Sequence, residues 1–156
     1  MNKIELIKAE RDGLEIKSDL QRFAEEGWES ISEDDIQRLK WYGLFLRNPT
    51  PGYFMLRVRI PNGFSFSHQV RALSWIAETY GNGVIDITTR QQVQLRHLKI
   101  ENIPKIFNLL EEVGLTTSQT GMDNVRNIMG CPVSGLSPKE KVDAYSLVKM
   151  LNEHIV

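Results

Sequence analysis

The stretch YFMLRVRI, residues 53–60, decides how the rest of the chain is read. Its aromatic and branched residues alternate: Phe54, Leu56, Val58 and Ile60 face one way, while Met55, Arg57 and Arg59 face the other. A strand of this kind wants an apolar cover on its first side and leaves charge on its second. Pro61-Asn62-Gly63 ends it as a turn.

Downstream, Phe66, Val70, Leu73, Ala77 and Tyr80 recur at three- and four-residue steps, which predicts an amphipathic helix stopped by Gly81. Val84-Ile85-Asp86-Ile87 reads as a second strand and Val93 to Leu98 as a third. Ile103, Ile106, Leu110 and Val113 mark a second helix, opened near Pro104 and closed by Gly114. Thr116 to Gln119 is a candidate fourth strand. The order β-α-β-β-α-β is the ferredoxin-like arrangement, an α+β fold. Two helices cover one face of such a sheet, so its other face meets solvent, a ligand or another domain. In one register that face presents Arg57, Arg59, Gln92, Gln94 and Arg96.

Upstream, Asn48-Pro49-Thr50-Pro51-Gly52 breaks regular structure and sets a boundary. Residues 1–46 read as a helical extension. Leu20, Phe23 and Ala24 share a helical face, Gly27 interrupts it, and Ser32 with Asp35 forms a capping box before Ile36, Leu39 and Trp41. After residue 119, GMDNVRNIMGCPVSGL has no period and reads as an irregular loop. Ser137-Pro138-Lys139-Glu140 then has the form of a helix start, leading through Val142, Tyr145, Val148, Leu151 and Ile155. The expected division is a helical segment over 1–46, a ferredoxin-like half domain over 47–119, and a loop-helix segment over 120–156 that begins a further domain.

The 156 residues suit one compact domain with appendages, at 41% hydrophobic and 25% charged residues. No apolar run approaches the roughly 20 residues that span a bilayer, and the charged N-terminus is not a secretory signal. The net charge of −1 conceals an uneven distribution. Residues 47–99 carry seven Lys/Arg against two acids, Glu78 and Asp86. Arg57, Arg59, Arg71, Arg90 and Arg96 lie in that block, which points to an anionic partner. Of the paired strand arginines, Arg59 reads as the structural one. Cys131 stands alone, so no intrachain disulfide forms; it reads as a small buried filler. His68, His97 and His154 have no metal-ligand spacing and read as surface or cap residues. Trp28, Trp41 and Trp75 read as core.

Six segments occur in order: KAERDGLEIK (8–17), EEGWESI (25–31), RLKWYGLFLR (38–47), FMLRVRIPNG (54–63), DITTRQQVQLR (86–96) and GMDNVRNIMGCPVSGL (121–136). Together they resemble the first third of ferredoxin-dependent nitrite reductases, within the sirohaem nitrite/sulfite reductase family. That resemblance implies six-electron reduction of nitrite to ammonia at sirohaem, with ferredoxin as donor and a [4Fe–4S] cluster as relay. It implies that Arg57 and Arg126 position the substrate anion. It also implies that Arg57, Thr88, Arg90, Gln94, Asn124, Arg126 and Asn127 form the cofactor-binding set. No metal ligand is expected here, because four cysteines are normally needed for the cluster and the family's cysteine motifs lie further along. The location implied is the cytoplasm, or the plastid stroma in a photosynthetic eukaryote. A chain of this extent is expected to be inactive by itself, and to self-associate or be marginally stable through apolar surface that another half normally covers.

The residue chemistry is consistent with the resemblance. Sirohaem is a polycarboxylate, and guanidinium–carboxylate forks are a strong way to hold one. Arginine stays protonated, so it holds an anion but is a poor proton donor. Three other readings compete. The central segments are shared with sulfite reductases. A small sirohaem-binding or regulatory protein without catalysis would keep the fold. An RNA-recognition domain also exposes a basic sheet face, yet VQLRHL carries no stacking aromatic and Tyr53 stands alone, so no nucleic-acid partner is expected.

Overall fold

A computed structural model describes residues 2–155. The helical N-terminal segment contains α1 (Lys3–Glu10), a 3₁₀ stretch (Gly13–Asp19), α2 (Leu20–Glu26) and α3 (Glu33–Leu39). Ser32 caps α3 by accepting from the Asp35 N–H, and Gly27, at φ 88°, ends α2. Next come β1 (Leu44–Leu46), β2 (Phe54–Val58), α4 (Ser67–Tyr80), β3 (Ile85–Ile87), β4 (Val93–Leu98), α5 (Ile103–Glu112) and α6 (Tyr145–Ile155).

The sheet is antiparallel, in the order β1-β2-β4-β3. The alternation in 53–60 sorts as its side chains require. Phe54, Leu56 and Val58 are fully buried with Leu95 and Leu98 of β4, and α4 and α5 supply Leu73, Ile76, Ile103 and Ile106 above them. The N-terminal segment extends the same core through Ile16, Leu20, Phe23 and Leu39. Arg57 pairs across with Gln94, and Gln94 pairs with Asp86, so polar residues line up on the opposite face. The register shifts between Phe54 and Leu56, where His97, at φ 60°, takes up the extra residue of β4.

Several expectations change. The helical reading of 1–46 fails at Leu44–Leu46, which pair with β2 because Leu44 and Leu46 can meet Leu56 and Phe54 there. The strand expected at Thr116–Gln119 is reduced to one bridge, between Arg59 and Thr116, at the same edge of β2. The fourth-strand position is thus shared by β1 and that bridge, and the ferredoxin-like order survives. Ser137–Glu140 does not start a helix. The Glu140 carboxylate instead accepts from Ser134 Oγ and the Gly135 N–H, and Asp143 caps α6 through the Tyr145 N–H. Phe66, Val70 and Trp75 lie on the exposed side of α4, whose buried stripe is Leu73, Ile76 and Ala77. Cys131 is exposed because its loop lies on the surface.

The second face of the sheet is not open along its length. Residues 117–130 fold over its Arg59 end. Arg59 is 1% exposed, and its guanidinium donates to the carbonyls of Ser118 (3.4 Å), Gln119 (2.9 Å) and Val125 (2.6 Å) and to Asn152 Oδ1 (3.3 Å). Burial lowers its pKa to about 10, so it remains a cation at neutral pH. It is the structural arginine of the strand, fastening both the loop and α6 to β2.

Arg59→Ala leaves three carbonyls without this donor and is expected to cost about 3 kcal/mol in urea denaturation, with Arg59→Lys recovering little because an ammonium cannot span the fork. Leu56→Ala, in the middle of the core, is expected to cost about 3 kcal/mol by the same measurement, whereas Ile87→Ala at the exposed edge should change stability by less than about 0.5 kcal/mol.

Candidate functional site

Beside the Arg59 roof the same sheet face stays accessible, as a hollow of about 170 Å³. Arg57 comes from β2, Gln94 from β4, Thr88, Thr89, Arg90 and Gln92 from the β3–β4 connection, and Arg126 from the irregular loop. Five of the residues named from sequence, Arg57, Thr88, Arg90, Gln94 and Arg126, therefore meet in one place.

Each is held differently. Arg57 is fixed through its backbone, its N–H donating to Gly43 O at 2.9 Å and its carbonyl accepting from Thr120 Oγ1 at 3.2 Å. Its Nη1 donates to Thr120 O at 3.0 Å, and its guanidinium carbon lies 4.9 Å from the centre of the Phe45 ring. Gly43 makes this approach possible. It sits at φ 70°, and a Cβ there would collide with Thr120 Oγ1 and Arg57 O. Arg57 Nε is buried without a hydrogen-bond partner among the described residues.

Thr88 organises the turn. Its Oγ1 accepts from the N–H groups of Arg90 (3.3 Å) and Gln92 (3.1 Å), and its own N–H donates to Gln92 O (2.9 Å). Arg90 is carried at the tip, exposed. Arg126 is turned back onto its own loop, donating to Met122 O through Nε (3.1 Å) and Nη2 (2.8 Å). Asn127 ties three segments together: its Nδ2 donates to Ile60 O at the end of β2 (2.9 Å) and to Arg90 O in the turn (2.8 Å). Asn124 is elsewhere. Its Nδ2 donates to Gly121 O, and it lines a separate depression with Lys8 and Trp41.

The electrostatics of the hollow are one-sided. Arg57, Arg90 and Arg126 form no ion pair among the described residues, in contrast to Arg11, Arg22, Arg38 and Arg96. Burial, reinforced by the charges of Arg126 and Arg90, lowers Arg57 below the usual arginine range. Asp123, which feels Arg126, is engaged by Lys8 and held below the usual carboxylate range. Arg96 is drawn away to Asp86, which removes it from the set suggested by alternation. Three cations without a counter-charge bind an anion favourably, because each contact relieves repulsion as well as forming a charge-assisted hydrogen bond.

Sequence reasoning missed Thr120, whose hydroxyl and carbonyl hold Arg57, and the Met122 carbonyl that turns Arg126. No residue pattern signals either, because both depend on the path of a loop that only packs once the sheet exists. Among the described residues no group of three or more His, Cys, Asp or Glu side chains is placed to hold a metal ion, and no helix is long and apolar enough to cross a membrane.

Residues 47–113 match the nitrite/sulfite reductase ferredoxin-like half domain. Over 99% of its length the chain is 49% identical to a ferredoxin–nitrite reductase of Leptolyngbya laminosa, and 39% identical to the chloroplastic ferredoxin–nitrite reductase of Arabidopsis thaliana. It spans 31% and 28% of those two proteins. The solved structure of the Mycobacterium tuberculosis NirA protein superposes with a TM-score of 0.93 at 27% identity, covering 99% of this chain and 32% of that one. Half-domain match, extended identity and superposition agree: residues 47–113 form a nitrite/sulfite reductase ferredoxin-like half domain, in a chain similar along its length to part of ferredoxin–nitrite reductases.

Proposed function

We propose that this chain supplies one wall of the sirohaem- and nitrite-binding site of an assimilatory ferredoxin-dependent nitrite reductase. The observation that carries this reading is the convergence of Arg57, Arg90 and Arg126, none ion-paired to a carboxylate among the described residues, in a hollow large enough for a small anion. The residues present fit sirohaem's side-chain carboxylates. Arg57 Nε has a buried unmet donor, and Arg90, Thr88 and Gln94 add further donors around it. When bound, sirohaem would supply the iron at which nitrite is reduced by six electrons to ammonia. The family's [4Fe–4S] cluster would be ligated by residues other than these.

In this reading Arg57 and Arg126 hold the anionic substrate and stabilise charge on its oxygens without moving, because both are already fixed by carbonyls. Arg90, Thr88 and Gln94 hold carboxylates, and Asn127 keeps the three site-bearing segments in register. Asn124 shapes the loop through Gly121 and does not reach the anion. The stretch 47–119 acts as platform, 120–156 brings Arg126, and 1–46 buttresses the core. Ferredoxin is the proposed electron donor, and the cytoplasm or a plastid stroma the proposed location. The relatives are named as nitrite reductases, which favours nitrite over sulfite. The chain is proposed to be inactive by itself.

Sirohaem titrated into the 156-residue chain is expected to show a saturable shift in its absorption spectrum. Arg57→Ala or Arg126→Ala should weaken binding about 10- to 100-fold, the worth of one charge-assisted contact. Binding that is equally tight in both variants would overturn the reading. Exposed Phe64, Phe66, Met129, Leu136 and Met150 support a second expectation, that the chain self-associates. Sedimentation velocity should show concentration-dependent oligomers, and a monomer at all concentrations would exclude this.

A further inference from the structure

Gln92 is 1% exposed at the edge of the hollow, yet its side chain does not belong to the cationic set. Its Nε2 donates to the main-chain carbonyl of Arg126. Its main-chain N–H and carbonyl are both taken by Thr88, in the turn that carries Arg90. Gln92 therefore joins two arginine-bearing segments, one through its backbone and the other through its amide.

Arg126 needs such a fixture. An arginine side chain loses about 2 kcal/mol of rotamer entropy when held still, so where its guanidinium stands depends on anchoring at both ends. Met122 O anchors the guanidinium end. Met122 itself has φ 54°, a conformation that a residue with a side chain keeps only when its surroundings hold it there. The Gln92 amide anchors the backbone end.

The remaining contacts of the loop show what this bond adds. The Asn62 N–H donates to Ile128 O at 2.9 Å, Asn127 Nδ2 donates to Ile60 O and Arg90 O, and Gln91 Nε2 donates to Gly130 O at 3.1 Å. These keep residues 127–130 on the sheet independently of Gln92, and on the other side of Arg126 the Arg59 guanidinium holds Val125 O. Loss of the Gln92 amide removes the one bond to the Arg126 carbonyl itself among the described residues, while the loop on either side stays attached.

We infer that Gln92 is a positioning residue of the anion site: by holding the Arg126 carbonyl, it sets where the Arg126 guanidinium meets the bound anion, and it acts through Arg126 alone. This rests on the reading that the hollow receives sirohaem carboxylates or nitrite. Gln92→Met keeps the length of the side chain and removes the donor.

Sirohaem affinity, followed by absorbance, should fall roughly tenfold in Gln92→Met, the loss of one hydrogen bond to a fixed group. In an Arg126→Ala background the same change should have less than about a twofold effect, because a residue acting through another has nothing left to act on. An equal tenfold loss in both backgrounds overturns the proposal. A second measurement needs no ligand. In 15N-labelled protein the Arg126 Nε–H resonance should shift or broaden in Gln92→Met while the Gly130 amide stays in place. In the unaltered chain the Gln92 side-chain amide should show scalar coupling across its hydrogen bond to the Arg126 carbonyl carbon. An unmoved Arg126 resonance, or absence of that coupling, overturns the positioning role. Failure of the unaltered chain to take up sirohaem would sink the reading of the hollow instead, and the resonances would still decide whether Gln92 places Arg126.

Discussion

Three guanidinium groups stand around one hollow with no ion-paired carboxylate among the described residues, and the surrounding structure exists in a form that tolerates this. Like charges at such a distance repel, and burial of Arg57 adds a desolvation cost. The arrangement persists because two of the groups are fastened to neutral oxygen and the third is solvated. Arg57 is held by Thr120 O and Arg126 by Met122 O, while Arg90 keeps its charge in solvent at the tip of a turn. Carbonyl dipoles satisfy the donors without cancelling the charge, so the field of the site remains available to an anion.

That condition propagates into the fold. The carbonyls come from residues 120–126, and these are brought over the sheet by Arg59, which spends its guanidinium on the backbone of the same loop. Arg57 and Arg59 are two residues apart on one face of one strand, with opposite employment. One is consumed entirely by protein, and the other keeps a buried nitrogen free. The division follows from where the loop crosses. At Arg59 it closes over the strand, and at Arg57 it makes its hydrogen bonds through Thr120.

The underside of β2 makes the arrangement rigid. Leu56 lies between Leu44 and Leu95 in the sheet and under α4 and α5, so the strand bearing both arginines cannot shift register without turning its apolar residues to solvent. The hollow is thereby built on a strand whose inward side chains are fully buried, which suits a site that would hold charge without reorganising.

Period-two alternation over 53–60, helical periods over 66–80 and 103–113, and turn residues at 61–63 and 114 were enough to specify a ferredoxin-like sheet with one apolar and one cationic face. They are local signals that burial enforces. The residues that converge on the hollow were legible because their motifs matched a family, and Arg57 and Gln94 also by their place in the alternation. Tertiary structure alone decided the rest. Leu44–Leu46 became a strand because an edge of β2 was vacant, Thr116 gave up all but one bridge, and Glu140 turned to Ser134 in place of capping a helix. Trp75 went to solvent because Leu73, Ile76 and Ala77 won the buried side of α4. Which arginine is structural and which is free depended on the path of a loop whose sequence has no period, and such a path is set by long-range contacts to carbonyls that every residue possesses.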